Sequence, residues 1–208
     1  MEHMTEEEFI TESNVDVIKK LMEINNGYIT TKELENFDIS RNYLSIMKNQ
    51  NLIEKIERGI YIDKNKIEDV YYTLNLTAPK IVYSHMTALY FHNLSIKAPD
   101  NNFDITVTKK YNNYKLRKHN IFYVDDKLYE IGLTTIETPQ GNKVRVYDIE
   151  RCICDIIRSK KRMDLEHIKY AVKEYIKRKD KDLIKLSKYA DIFGIKEEVM
   201  DFVSMMYE

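Results

Sequence analysis

The sequence predicts an α+β protein in two parts, and three observations carry that expectation. Residues 14–62 pass through short helical runs and close on a tight hairpin. Residues 103–147 hold a group of alternating, β-branched strands, and residues 148–206 hold a group of amphipathic helices. A strand group followed by a helix group argues for a short sheet with a helical bundle, not for repeated βα units.

The first part is read residue by residue. Asn14 is placed to cap a helix from Val15 to Ile24, with Ile18, Leu21 and Met22 inward and Asn26-Gly27 as a stop. Thr30 or Thr31 opens a second helix reaching Asn36, with Glu33 and Glu35 where a helix start favours anions. Phe37-Asp38-Ile39-Ser40 is a turn in which Asp38 or Ser40 can cap a third helix, Arg41 to Gln50. Leu44 and Met47 share one face of that helix with Tyr43 beside them, while Arg41, Asn42, Ser45, Lys48 and Asn49 project elsewhere. Leu52, Ile53 and Ile56 begin an extended run, Arg58-Gly59 turns it, and Ile60-Tyr61-Ile62 returns. This is the outline of a winged helix-turn-helix followed by an α+β domain.

That outline has a chemistry. An exposed helix fits the DNA major groove, where Arg, Asn, Gln and Ser bond to base edges, and surrounding cations and N–H donors hold phosphates. The candidate contacts are Thr30, Thr31 and Lys32 at the second helix start, then Ser40, Arg41, Asn42, Ser45, Lys48 and Asn49. Lys55 and Arg58 follow in the hairpin. From Ser40 to Lys66 the cations Arg41, Lys48, Lys55, Arg58, Lys64 and Lys66 face Glu54, Glu57 and Asp63. The competing reading is the same fold used only for protein contacts.

A third cationic group, Lys160, Lys161 and Arg162, joins the candidate DNA contacts. It belongs to a run with Arg158, and further clusters occur at Lys109, Lys110, Lys115, Arg117 and Lys118 and at Lys177, Arg178, Lys179 and Lys181. Such clusters suit a polyanion, although solvated helix ends look alike. Net charge is −1, so the basic character is local.

Whole-chain numbers set bounds. The 208 residues are 43% hydrophobic and 32% charged, ordinary for a globular chain with a sizeable core. No apolar run approaches the roughly 18 residues of a membrane span, and nothing resembles a signal peptide, so a cytoplasmic protein without membrane contact is expected. Residues 1–9, with Met1-Glu2-His3 ahead of Met4 and a Glu-rich continuation, read as a disordered, tag-like start. The expected division is residues 10–78 for the winged module and 79–208 for the C-terminal domain, joined near Pro79.

In the second part, a helix from Ile67 to Leu76 carries Val70, Tyr71 and Leu74 on one stripe, and Ser84 caps a helix from His85 to Phe91. His85 and His92 lie seven apart without a third ligand at a telling spacing, which favours hydrogen-bonded histidines over a metal pair. Strands are expected at Phe103–Thr108, Asn120–Val124, Tyr129–Thr138 and Lys143–Tyr147, the last two joined by the turn Pro139-Gln140-Gly141-Asn142. Asp148 caps a helix to Ser159, followed by helices at Leu165–Arg178, Asp182–Ile192 and Lys196–Met206, with Gly194 separating the last pair. Cys152 and Cys154 point to nearly opposite sides of one helix, as buried thiols and not a disulfide or shared metal site.

An enzyme is not expected. Asp148, Glu150 and Asp155 with Arg151 and Arg158 hint at a carboxylate-metal site. Simpler roles account for them: Asp148 as a cap, Glu150 as a first-turn anion, and Arg151 with Asp155 as a surface pair one turn apart. With five glycines there is no phosphate-cradling loop, and neither cofactor nor metal is implied.

Three segments carry a family resemblance: Arg58-Gly59-Ile60-Tyr61, then Tyr83-Ser84-His85-Met86-Thr87-Ala88-Leu89-Tyr90-Phe91-His92-Asn93-Leu94-Ser95, then Val146-Tyr147-Asp148-Ile149-Glu150-Arg151-Cys152-Ile153-Cys154-Asp155-Ile156-Ile157-Arg158. In order and spacing they resemble the AbiEi antitoxins of type IV toxin–antitoxin systems linked to abortive phage infection, over nearly the whole chain from Val15. Relatives often have Gly in the turn before the wing; this chain has Asn51, which tolerates left-handed geometry. The resemblance implies a repressor of its own operon that binds double-stranded promoter inverted repeats through the winged helix. It also implies opposition to a nucleotidyltransferase-like toxin, AbiEii, without a stable complex, and a contribution of the C-terminal domain to DNA binding. The alternative is an ordinary winged-helix regulator whose C-terminal domain senses a ligand or partner. No sustained heptad is present, and Ile195, Val199, Phe202 and Met206 serve core or self-association equally. A monomer or weak self-associator, cooperative on DNA, is therefore expected.

Overall fold

Ser13, not Asn14, caps the first helix: its Oγ accepts the Asp16 N–H, and α1 runs Asn14–Ile24. The computed structural model describes residues 13–206, so the acidic start expected to be disordered lies outside the described residues. The fold is mixed α/β with two small sheets. The chain groups into two compact units, one of residues up to Pro79 together with Pro139–Asn142, the other of Lys80–Thr138 and Lys143 onward.

In the first unit, Asn26 and Gly27 take positive φ and turn α1 into β1 (Tyr28–Thr30). α2 (Thr31–Asn36) opens on a reciprocal cap: Thr30 Oγ1 accepts from Glu33 N–H, and Glu33 Oε2 accepts from Thr30 N–H at 2.7 Å. Asp38 does not cap the next helix. It takes the left-handed conformation (φ 52°), and Ser40 Oγ accepts the Asn42 N–H at the start of α3 (Asn42–Asn49). Asn51 adopts φ 61°, the geometry expected of a residue in a glycine position.

β2 (Ile53–Glu57) and β3 (Ile60–Asp63) form an antiparallel hairpin with an irregularity between Lys55 and Glu57, and β1 pairs with the far edge of β3. The sheet order is β1-β3-β2. Ile18, Met22, Ile29, Leu34, Leu44, Met47 and Ile53 bury together between the helices and the sheet. This apolar set is what fixes the orientation of α3. The helix expected from Ile67 begins later, as α4 (Val70–Thr77), because buried Asp69 caps it by accepting from Tyr71 and Tyr72 N–H. Val70 is exposed; Tyr71 and Leu74 carry the burial. The turn Pro139–Asn142 groups with this unit and not with the C-terminal domain: Asn142 Nδ2 donates to Asp69 Oδ2 (2.8 Å) and Asn26 Nδ2 to the Gln140 carbonyl (2.8 Å).

The second unit is built on a mixed sheet in the order β6-β5-β4-β8-β7. Its strands are β4 (Val82–Tyr83), β5 (Asp104–Thr108), β6 (Asn120–Val124), β7 (Leu133–Glu137) and β8 (Lys143–Tyr147). Pairing is antiparallel for β4/β5 and β7/β8 and parallel for β4/β8 and β5/β6. The long strand expected from Tyr129 is shorter. Asp126–Tyr129 form a helical turn, α6, which buries the Tyr129 ring, and Gly132 at φ 74° separates it from β7. The remaining helices are α5 (His85–Phe91), α7 (Ile149–Arg158), α8 (Leu165–Lys177), α9 (Leu183–Ile192) and α10 (Lys196–Met205). α7 packs against α5, α8 and α9, with Cys152 and Cys154 buried as free thiols. Among the described residues no helix is long and apolar enough to cross a membrane.

Candidate nucleic-acid interface

α3 is held by its inner face and exposed along its outer one. Leu44 and Met47 are each 1% exposed, and Tyr43 is half-buried against the same core. Asn42, Ser45, Lys48 and Asn49 are exposed, and none of their side chains has a partner among the described residues. Arg41 precedes the helix and forms an exposed ion pair with Glu35 of α2. One apolar side chain shares this outer surface: Ile46, 45% exposed, a turn beyond Asn42 and three residues before Asn49. It is absent from the candidates drawn from polar residue types alone, yet its spacing from the two asparagines is readable in the sequence.

The start of α2 and the tip of the hairpin are joined. Thr31 N–H donates to the Gly59 carbonyl (2.9 Å), and a side chain at Gly59 would meet Thr31 Oγ1 at 2.7 Å. Gly59 takes φ 78°, so the turn needs both the conformation and the space of glycine. The contact brings the neighbourhoods of Lys32 and Arg58 together. Lys32, Lys55 and Arg58 are exposed, without an ion-pair partner among the described residues. Thr30 and Thr31 are half-buried, and the Thr30 hydroxyl is already committed to its cap. Thus Thr30 acts on the local structure, and Lys32, Lys55 and Arg58 supply free cations.

The cationic clusters of the second unit are more tied down than their sequence suggests. Lys160 pairs with Glu198 (2.7 Å), and Arg162 lies over the Phe122 ring (4.2 Å). Lys161 is exposed and has no partner among the described residues. Elsewhere Lys109 pairs with Asp125, Lys110 with Asp126, Lys177 with Glu174 and Arg178 with Asp180. These exposed pairs reduce the local field without contributing much to stability.

The carboxylates weighed as an enzyme site have structural partners. Asp148 Oδ1 accepts the Arg151 N–H as the α7 cap, and Asp148 Oδ2 meets Lys185 Nζ (2.9 Å). Glu150 stands in the first turn of α7, as expected of a helix-start anion. It is buried, accepts from the Tyr175 hydroxyl and the Asp182 N–H, and pairs with Lys185. Burial lowers the Lys185 ammonium pKa, but the Asp148 and Glu150 carboxylates more than offset this and raise it. Arg151 and Asp155 do pair, but inside the protein: both side chains are fully buried, correcting the expectation of a surface pair.

His85 is fully buried at φ 47°, with Nδ1 at 2.9 Å from Ser84 Oγ and Nε2 at 3.1 Å from Ser159 Oγ. Its ring stacks on Phe122. Burial, then the charges of Arg158, Arg151 and Arg162, push its pKa well below that of a free imidazole. His92 Nε2 donates to the Tyr147 carbonyl at 2.7 Å. The two rings therefore have separate hydrogen-bond partners.

No protein-family model matches the chain, and no curated protein matches it. Among solved structures the chain is similar to the crystal structure of the Rv2827c protein from Mycobacterium tuberculosis. The identity is 10%, over 90% of this chain and 79% of that one, with a TM-score of 0.49.

Proposed function

We propose that the protein is a DNA-binding repressor whose first unit is a winged helix-turn-helix, and that it is the antitoxin of a type IV toxin–antitoxin pair of the AbiEi kind. The observation that carries the DNA-binding part is α3 itself. An eight-residue helix is anchored by Leu44 and Met47 and presents a row of unpartnered polar side chains to solvent. The helix order, the β2–β3 hairpin and its cationic tip support the same reading, since free Lys32, Lys55 and Arg58 suit the phosphates flanking a groove. The antitoxin part rests on the sequence resemblance of Arg58–Tyr61, Tyr83–Ser95 and Val146–Arg158. On this reading the protein works by binding and not by catalysis, in the cytoplasm, and opposes a nucleotidyltransferase-like toxin without forming a stable complex.

The test is direct. Full-length protein is titrated into a labelled duplex covering the region upstream of its own gene, at low and moderate salt, against an unrelated duplex of equal length. Preferential binding to the upstream duplex is expected; failure to bind it even at low salt would remove the repressor reading. Co-expression with the neighbouring gene, scored as growth, tests the antitoxin reading separately.

A further inference from the structure

We infer that the outward ridge of α3 reads A·T base pairs, with Ile46 packing on the 5-methyl group of thymine and Asn42 and Asn49 bonding to adenine edges. This rests on the duplex-binding role proposed above and adds the class of sequence recognised.

The argument begins with helix geometry. Asn42, Ile46 and Asn49 stand at i, i+4 and i+7, so they form one row, with Ser45 beside it. Leu44 and Met47 occupy the opposite, buried side. Arg41 and Lys48 lie three before and four after Leu44, which sets both on the flank between the ridge and the buried side, where they remain exposed. Cations leaving from that flank are positioned for phosphates. The ridge itself is uncharged.

The chemistry of base edges then discriminates. Guanine is read chiefly by a bidentate Arg or Lys, and cytosine N4 donates to Asp or Glu. The ridge centre has no cation, and Asn42–Asn49 contains no acidic residue. What it offers is two carboxamides, suited to adenine N6 and N7, and an isoleucine, suited to the thymine methyl. Both carboxamides lack a partner among the described residues, so neither is committed to holding the fold. Ile46 remains 45% exposed in a row that is otherwise polar, so a methyl contact would take apolar surface out of water.

The experiment uses thymine itself as the variable. The upstream duplex is prepared twice, once with thymidine and once with deoxyuridine throughout, which removes only the 5-methyl groups. Each is titrated with wild-type protein, Ile46→Ala and Ile46→Val, after matched thermal melts establish that the variants fold. Wild type should bind the uracil duplex at least roughly fourfold more weakly, about the worth of one buried methyl. Ile46→Ala should bind both duplexes alike, and Ile46→Val should keep most of the discrimination. The comparison across variants cancels any general effect of uracil on duplex shape. Equal loss in wild type and Ile46→Ala, or no loss in either, would overturn the thymine contact while leaving DNA binding intact. No binding to either duplex would instead overturn the repressor reading, and this inference with it.

Discussion

Arg151 and Asp155 form an ion pair across one turn of α7 with neither side chain reaching solvent, Nε to Oδ2 at 2.9 Å. Arg151 Nη1 also donates to the carbonyls of Leu128 and Ile131, and its guanidinium lies between the rings of Tyr147 (4.0 Å) and Phe193 (4.5 Å). Arg158 closes the other oxygen of Asp155 at 2.8 Å. The network thus ties α7 to α6 and to the segment that follows it before β7.

Removing one partner leaves a buried charge without its counterion. Asp155→Ala should cost about 3–5 kcal/mol in urea unfolding. Asp155→Asn, which keeps a hydrogen-bonding oxygen, should cost less. Replacing both residues, Arg151→Met with Asp155→Leu, should not restore full stability, because the Leu128 and Ile131 carbonyls lose their donor. Wild-type stability in the double variant would show that the ion pair is dispensable.

Gly132 and Gly141 test how closely this network is packed. Both take positive φ, 74° and 84°. A Cβ at Gly132 would meet Arg151 Cβ at 2.6 Å, whereas one at Gly141 would meet nothing within 4 Å. Gly141→Ala should therefore cost only the left-handed penalty, about 1–2 kcal/mol. Gly132→Ala adds a clash with an immobile side chain and should exceed it by a further 1–3 kcal/mol or about that. Similar midpoints for the two variants would show that α7 yields easily.

The spacing of Arg151 and Asp155 is legible in the sequence; their burial is not. Their partners come from Leu128, Ile131, Tyr147 and Phe193, positions that no local pattern connects. The same limit explains the basic run at Lys160–Arg162, whose companions Glu198 and Phe122 lie far along the chain. Local signals fared better. The Thr30 cap, the Arg58-Gly59 turn and the Leu44/Met47 face follow from chemistry within a few residues. The expected strand from Tyr129 failed because β-branched composition outweighed two local markers: the Asp125-Asp126 helix start and Gly132 as a break.

His119 sets an acid limit on the second unit. Its Nδ1 accepts the Phe103 N–H at 3.1 Å, and its ring stacks on Phe103. Burial, helped by the charge of Lys118, lowers its pKa from 6.5 to about 4. The folded state therefore binds fewer protons than the unfolded chain between those values. Its contribution to stability is fully present above pH 6.5 and is lost as pH falls toward 4. His119→Asn, whose Oδ1 can accept the same N–H, should lose less stability than wild type between pH 7 and pH 5. Buried Asp104, whose pKa burial raises, acts in the opposite sense and is common to both proteins. Parallel stability curves would place the acid sensitivity elsewhere.

The last prediction separates the free cations from the tied ones. If the first unit binds duplex DNA as proposed, Lys48, Lys55 and Arg58 meet phosphates without first breaking an ion pair. Each neutralisation should weaken binding across sequences and reduce the slope of log K against log salt by about 0.9. Arg41→Ala should act less strongly, because Arg41 must first leave Glu35. In the second unit, Lys161→Ala should reduce the slope if that cluster reaches DNA, whereas Lys160→Ala, already paired with Glu198, should change it little. Replacing Lys160, Lys161 and Arg162 together should then do no more than Lys161→Ala alone. A slope that falls in proportion to all three charges would mean that the Glu198 and Phe122 contacts give way to phosphate, making this run a full DNA-binding surface.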